Sequence, residues 1–163
     1  MAIDAALFSS QSDSWETPPT LFAQVAAEFP FTLDVCATPA TAKCPRYFTP
    51  EMDGLRQPWA PAVAWMNPPY SDVAHWIEKA AIEARWGATV VALVPARTDT
   101  RWWHRHIYDA TRWRCRPGVS VRFLPGRIRF VGASNGAPFP SCLIVFKHEG
   151  EPNQNEAVGE AVP

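Results

Sequence analysis

Ala62-Val63-Ala64-Trp65-Met66-Asn67-Pro68-Pro69-Tyr70 is the stretch whose reading decides the fold. Its first five residues form a continuous apolar run bounded by proline on both sides, which predicts a short strand buried on both faces. Two consecutive prolines fix φ and cannot donate to a ladder, so the strand must stop there. Asn67, preceding a proline, is pushed towards an extended backbone. The outcome is a rigid loop at the carboxyl end of a strand, presenting one amide, backbone carbonyls and one aromatic ring. These groups suit a planar base bearing an exocyclic amine. The Asn67 side-chain oxygen and the Pro68 carbonyl can each accept from the amine, and Tyr70 can stack on the ring.

Working outward, Ser71 or Asp72 is placed to cap a helix with Val73, Ile77, Ala80, Ala81 and Ala84 on one face, closed by Gly87. Thr89–Pro95 is the clearest buried strand in the chain. Strand, loop, helix and strand make a right-handed βαβ unit with parallel strands. Upstream, Phe31–Ala37 reads as the first strand, with Asp34 towards its carboxyl end, where ligands of open α/β sheets bind. Before it, Thr17 and Pro18 have the chemistry of an N-cap and a first helical residue, and Leu21, Phe22, Val25, Ala26 and Phe29 follow at helical spacing. Thr38–Pro50 is irregular and too short for a full strand–helix–strand unit. Asp53-Gly54 is a turn dipeptide.

Downstream, Ala96–Pro117 interleaves arginines with Trp102, Trp103 and Trp113, and much of it has a helical pattern with Trp102, Trp103, Ile107 and Tyr108 facing inward. Val121–Phe130 reads as a hairpin around Pro125-Gly126, Val131–Ser141 as a flexible loop, and Ser141–Phe146 as the last strand. Residues 1–13 are expected to be a flexible end, 14–148 a single domain and 149–163 a disordered acidic tail.

The chain of 163 residues carries a net charge of −1, but Arg97–Arg129 contains nine Arg and two Asp, a local charge of +7 that leaves −8 for the remainder. Such a basic segment suits an anionic partner, with tryptophans available for base stacking. Four cysteines show no zinc-ligand spacing and no disulfide framework, which predicts reduced thiols. No run approaches the ~18 residues of a membrane span, and the amino terminus lacks the charged and apolar regions of a signal peptide.

The Asn-Pro-Pro-Tyr segment resembles the catalytic loop of amino-methylating, S-adenosylmethionine-dependent methyltransferases. Two further segments support this. Trp15-Glu16-Thr17-Pro18 is similar to the motif that holds the methionine end of the cofactor, and Pro95–Trp103 (Pro-Ala-Arg-Thr-Asp-Thr-Arg-Trp-Trp) is similar to a segment of the small phage-type DNA N-6-adenine methyltransferases (Dam family). The resemblance covers about Trp15 to Lys147. It implies a single Rossmann-like class I methyltransferase domain of α/β class, with a mostly parallel sheet, an antiparallel C-terminal hairpin or strand, and a trimmed cofactor half. The implied reaction is methyl transfer from S-adenosylmethionine to the 6-amino group of adenine in double-stranded DNA, on a base flipped out of the duplex.

The resemblance implies that Asn67, Pro68, Pro69 and Tyr70 are catalytic. Trp15, Thr17, Pro18, Asp34, Asp53 and Asn67 are implied as cofactor contacts, with Asp34 on the ammonium group and Asp53 on the adenine amine. Arg97, Arg101, Arg105, Arg122, Arg127 and Arg129 are expected on DNA. No metal and no membrane is implied, and the expected setting is the cytoplasm of a bacterial host. The chain departs from the wider methyltransferase pattern in having no glycine pair after Asp34. Cytosine in DNA, adenine in RNA or a glutamine amide stand as alternative acceptors, and a non-catalytic DNA-binding module on the same fold as an alternative of another class.

Overall fold

A computed structural model describes residues 15–149. The ends expected to be a flexible start and an acidic tail lie outside the described residues, apart from Glu149.

The apolar run forms β2 (Val63–Met66), which ends at Met66 where the Asn-Pro-Pro sequence begins. It is parallel to β3 (Thr89–Pro95) on one side and to the two-residue β1 (Leu33–Asp34) on the other. The expected first strand is thus much shorter than Phe31–Ala37, although Thr32 and Val35 still donate to the β2 carbonyls of Val63 and Trp65. The last strand among the described residues, β7 (Ser141–Phe146), is antiparallel to β3, and β6 (Val119–Phe123) is antiparallel to β7. The sheet order is β1-β2-β3-β7-β6. Since β6 opposes β7 and β7 opposes β3, all its strands except β7 run in one direction.

Both faces of this sheet are covered, which is why its central strands are apolar without alternation. Ala64, Met66, Val90, Ala92 and Ile144 face α2 (Val73–Arg85), whose Trp76, Ile77 and Ala80 pack against them. Trp65, Val91, Leu93 and Val145 face the other way, onto Val25 of α1 (Pro19–Ala26) and Phe130. Gly87 takes φ 102° after α2, as a helix-ending glycine should.

Three expectations are corrected. α1 begins one residue late, with Pro18 in the capping position and Pro19 inside, and Thr17 makes no capping bond; its hydroxyl is engaged elsewhere. The basic stretch is mostly not helical. Only α3 (Arg101–His106) forms, followed by a small ribbon of β4 (Tyr108–Asp109) and β5 (Arg114–Cys115), with Trp113 at φ 54° in the turn. Trp103 and Ile107 are buried as the pattern required. Finally, Val121–Phe130 is not a hairpin. β6 ends at Phe123 and pairs with β7, while residues 124–140 cross the α1 face without strand structure. The Pro-Gly pair does turn, with Gly126 at φ 68°, but Ile128 and Phe130 are drawn to the apolar cluster beneath α1 instead of into a ladder.

Candidate active site

The loop after β2 is held by its one amide. Asn67 Nδ2 donates to the Trp15 carbonyl and to Thr17 Oγ1 (3.0 Å), and Asn67 Oδ1 accepts from the Tyr70 hydroxyl (2.9 Å). A carbonyl can only accept, so the NH2 side must face Trp15 and the oxygen side must face Tyr70. Tyr70 is only 8 % exposed. Its hydroxyl also approaches the Leu93 carbonyl (3.3 Å), and its ring lies edge-to-face with Phe139 and Phe130. Burial raises its pKa well above the ordinary phenol value. What Tyr70 offers in this arrangement is a hydroxyl fixed on the Asn67 oxygen and a ring packed against Phe130 and Phe139.

Beside the loop, at the carboxyl ends of β1 and β2, lies a cavity of about 380 Å³, within the usual range of small-molecule sites. Trp15, Thr17, Asp34, Asp53 and Asn67 all line it. Pro69 also lines it, while Pro18, Pro68 and Tyr70 do not. Asp34 is 2 % exposed. Its two oxygens accept from the backbone N–H groups of Cys36 (3.3 Å) and Lys43 (3.0 Å). Burial lifts its pKa to about 6, against the opposing effect of those bonds and of the Lys43 charge. Asp34 thus ties down the irregular segment that follows it. Asp53 occupies a left-handed turn (φ 52°) with Arg56 on its carboxylate (3.2 Å). Gly54 follows because a Cβ there would lie 2.2 Å from the Val35 carbonyl oxygen.

Sequence reasoning missed Lys43 and Trp76 as cavity residues. Lys43 reaches the wall only because residues 38–50 fold back onto Asp34, and it pairs with Glu16 (3.5 Å); no local pattern signals that. Trp76 had a signal, since it sits beside Ile77 on the apolar face of α2, and it stacks on Trp59 at 6.1 Å.

The basic residues divide. Arg97, Arg101, Arg105, Arg127 and Arg129 are exposed, and Arg105 has only a long contact to Glu78 (3.9 Å). Arg122 is different. It pairs with Glu28 (2.7 Å) and lies over the Phe29 ring (5.8 Å), clasping the end of α1 to β6. Its charge is already matched within the protein. Alanine at Arg97, Arg101, Arg127 or Arg129 is expected to weaken DNA binding and lower the salt slope by about 1 each. Arg122→Ala should leave that slope unchanged and lower stability by up to ~1 kcal/mol. Titrating fluorescent duplex at several salt concentrations, alongside urea melts, checks both.

An α/β sheet with a ligand-sized cavity at its parallel carboxyl ends, bordered by a rigid amide-bearing loop, is the arrangement in which open α/β proteins bind small ligands. Residues 4–154 match the family described as DNA N-6-adenine-methyltransferase (Dam). The chain is 32 % identical over 146 residues to the DNA N-6-adenine-methyltransferase of Haemophilus phage HP1, covering 85 % of this chain and 80 % of that one. It is 27 % identical over 92 residues to the protein of the same name from Escherichia phage T1, covering 55 % and 39 % respectively. The chain belongs to the DNA N-6-adenine-methyltransferase (Dam) family, and is an adenine-specific DNA methyltransferase. The cytosine, RNA, glutamine and non-catalytic alternatives fall away with that membership. Such an enzyme requires a methyl donor. Among the described residues no helix is long and apolar enough to cross a membrane, and no group of three or more His, Cys, Asp or Glu residues is placed to hold a metal ion.

Proposed function

We propose that the methyl donor is S-adenosylmethionine, bound in the cavity between β1 and β2 of a Rossmann-like class I domain, and that the acceptor is an adenine flipped out of double-stranded DNA. The observation carrying this reading is that one cavity of suitable size has a buried carboxylate, a second carboxylate, indole rings and the loop amide on its walls. That donor and acceptor set fits the group: Asp34 suits an ammonium, Asp53 an exocyclic amine, and Trp15 and Trp76 apolar ring surface. S-adenosylmethionine supplies an electrophilic methyl group when bound.

The chain's own residues do the rest by holding and orienting. A stacked, paired adenine cannot present its amine to a pocket, and extruding it costs a few kcal/mol. Asn67 Oδ1 has a second lone pair beyond the one used by Tyr70, and with the Pro68 carbonyl it accepts the two amine N–H bonds of the base. This turns the nitrogen lone pair out of ring conjugation and towards the cavity. Pro68 and Pro69 keep the two acceptors in fixed relation. Catalysis is then mainly positioning and electrostatics. The exposed arginines at 97, 101, 105, 127 and 129 bind phosphates. The chain acts in the cytoplasm of a bacterial host, as expected of an enzyme whose relatives are phage proteins.

The test is incubation with tritiated S-adenosylmethionine and unmethylated duplex, followed by nucleoside digestion. Label in N6-methyl-2′-deoxyadenosine is the expected result. Binding of S-adenosylmethionine, measured by calorimetry, should also weaken as pH falls through about 6, because protonation removes the Asp34 charge; Asp34→Asn should bind weakly and without that pH dependence. Absence of S-adenosylmethionine binding at pH 8 overturns the cofactor assignment.

A further inference from the structure

The bond between Thr17 and Asn67 joins a cavity wall to the loop that meets the base. Thr17 is 1 % exposed and does not cap α1, although its position before two prolines suits that task. Its oxygen instead accepts from Asn67 Nδ2 at 3.0 Å, fifty residues away along the chain. The Trp15 carbonyl takes the other Nδ2 hydrogen. The segment making both contacts is itself anchored: the Glu16 carbonyl accepts from Val131 N (3.0 Å), the Glu16 carboxylate pairs with Lys43, and the Trp15 ring packs on Phe130 (5.1 Å).

We propose that Thr17 is a positioning residue for methyl transfer, whose hydroxyl fixes the Asn67 amide so that its oxygen faces the incoming adenine amine. The proposal rests on the reading of Asn67 given above and goes beyond a contact between Thr17 and the cofactor. The physical argument is one of torsion. An amide held at one nitrogen hydrogen and one oxygen lone pair can still rock about its Cβ–Cγ bond. A third bond, at the other nitrogen hydrogen, narrows that rocking. Turning it over would set its oxygen against the Trp15 carbonyl, two acceptors face to face. Thr17 thus supplies the third point of a three-point mount, and the same backbone segment that walls the cavity sets the angle of the acceptor at its edge.

The test compares Thr17→Val, which keeps the shape and removes the acceptor, with Thr17→Ser, which restores it. With both substrates saturating, Thr17→Val is expected to lose kcat by about 10- to 100-fold, while its affinity for S-adenosylmethionine stays within about threefold of the wild type. Thr17→Ser should recover most of the rate. In spectra of ¹⁵N-labelled protein, the Asn67 side-chain N–H pair should be slow to exchange in the wild type and in Thr17→Ser, and fast in Thr17→Val. An unchanged kcat in Thr17→Val, or lost cofactor affinity with kcat retained, overturns the proposal. Should Thr17→Val fail to fold, Thr17→Ala carries the same comparison. Failure of the wild type to methylate DNA at all would strike the functional reading, and the exchange measurement would still report on the mount.

Discussion

Asn67→Ala is expected to fold and to lose methyl transfer by about 10²- to 10³-fold, a barrier increase of about 3–4 kcal/mol. The substitution removes the proposed acceptor for the adenine amine and, of the residues lining the cavity, alters only Asn67 itself. The structural effect is small by comparison. The Tyr70 hydroxyl keeps the Leu93 carbonyl as a partner, while the Trp15 carbonyl and the Thr17 hydroxyl each lose the Asn67 donor. Since Asn67 is only half-buried, water can replace it there, and the stability loss should be about 1–2 kcal/mol. Single-turnover rates at saturating DNA and cofactor, with a thermal melt beside them, separate the two effects. A variant that melts normally and methylates at the wild-type rate would rule out the acceptor role of the amide.

Glu83→Ala should cause a loss of stability of about 3–5 kcal/mol, a large part of what a domain of this size ordinarily possesses. Glu83 is 5 % exposed on α2. Its Oε2 accepts from the backbone N–H groups of Trp59 and Ala60, both at 2.9 Å, and its Oε1 pairs with Lys79. Lys79 in turn lies over the Trp59 ring at 5.6 Å. Alanine would leave two N–H groups without their acceptor and an ammonium without its counter-charge. These groups fix the chain as it enters β2, so their loss should loosen the strand that carries the Asn-Pro-Pro-Tyr loop.

The pH dependence of that contribution has a definite sign. Burial acts to raise the Glu83 pKa, but Lys79 and the two backbone donors outweigh it and leave it below the ordinary carboxylate value of 4.5. The contribution is therefore complete above pH 4.5 and disappears as pH falls through the lowered folded value. Urea denaturation should give Glu83→Gln a flatter acid limb than the wild type and Glu83→Ala a much lower midpoint at pH 7. A Glu83→Ala midpoint within experimental error of the wild type would refute the assignment.

The parts of this molecule legible in sequence are those where a pattern meets a steric rule. The apolar run ending in Asn67-Pro68-Pro69 could hardly be anything but a strand with a fixed stop, and Gly87 closed α2 because only glycine suits its backbone angle. The residues that failed were decided by distant partners. Thr17 has the chemistry of a cap, yet Asn67 competes for its hydroxyl and wins. Arg127 and Arg129 alternate with apolar neighbours as a strand would, yet burial of Ile128 and Phe130 beneath α1 outweighs pairing across a Pro-Gly turn. Asp34 was legible as a ligand-end acid, but its grip on the Lys43 backbone was not, because nothing in an irregular segment reveals where it folds back. Glu83 was invisible for a related reason: a lone acid on a helix looks solvated until the strand entry it supports is in place.

The sheet order has a consequence for how the molecule comes into being. β7 is the last strand among the described residues, yet it lies inside the sheet, between β3 and β6. A ribosome must have made the chain past Phe146 before that slot can be filled. Until then the growing chain carries β3 and β6 with open edges that have only each other, or a neighbouring nascent chain, to pair with. The sheet can thus close only after Phe146 has been made, and a message cut short before Ser141 yields only a sheet missing its inner strand.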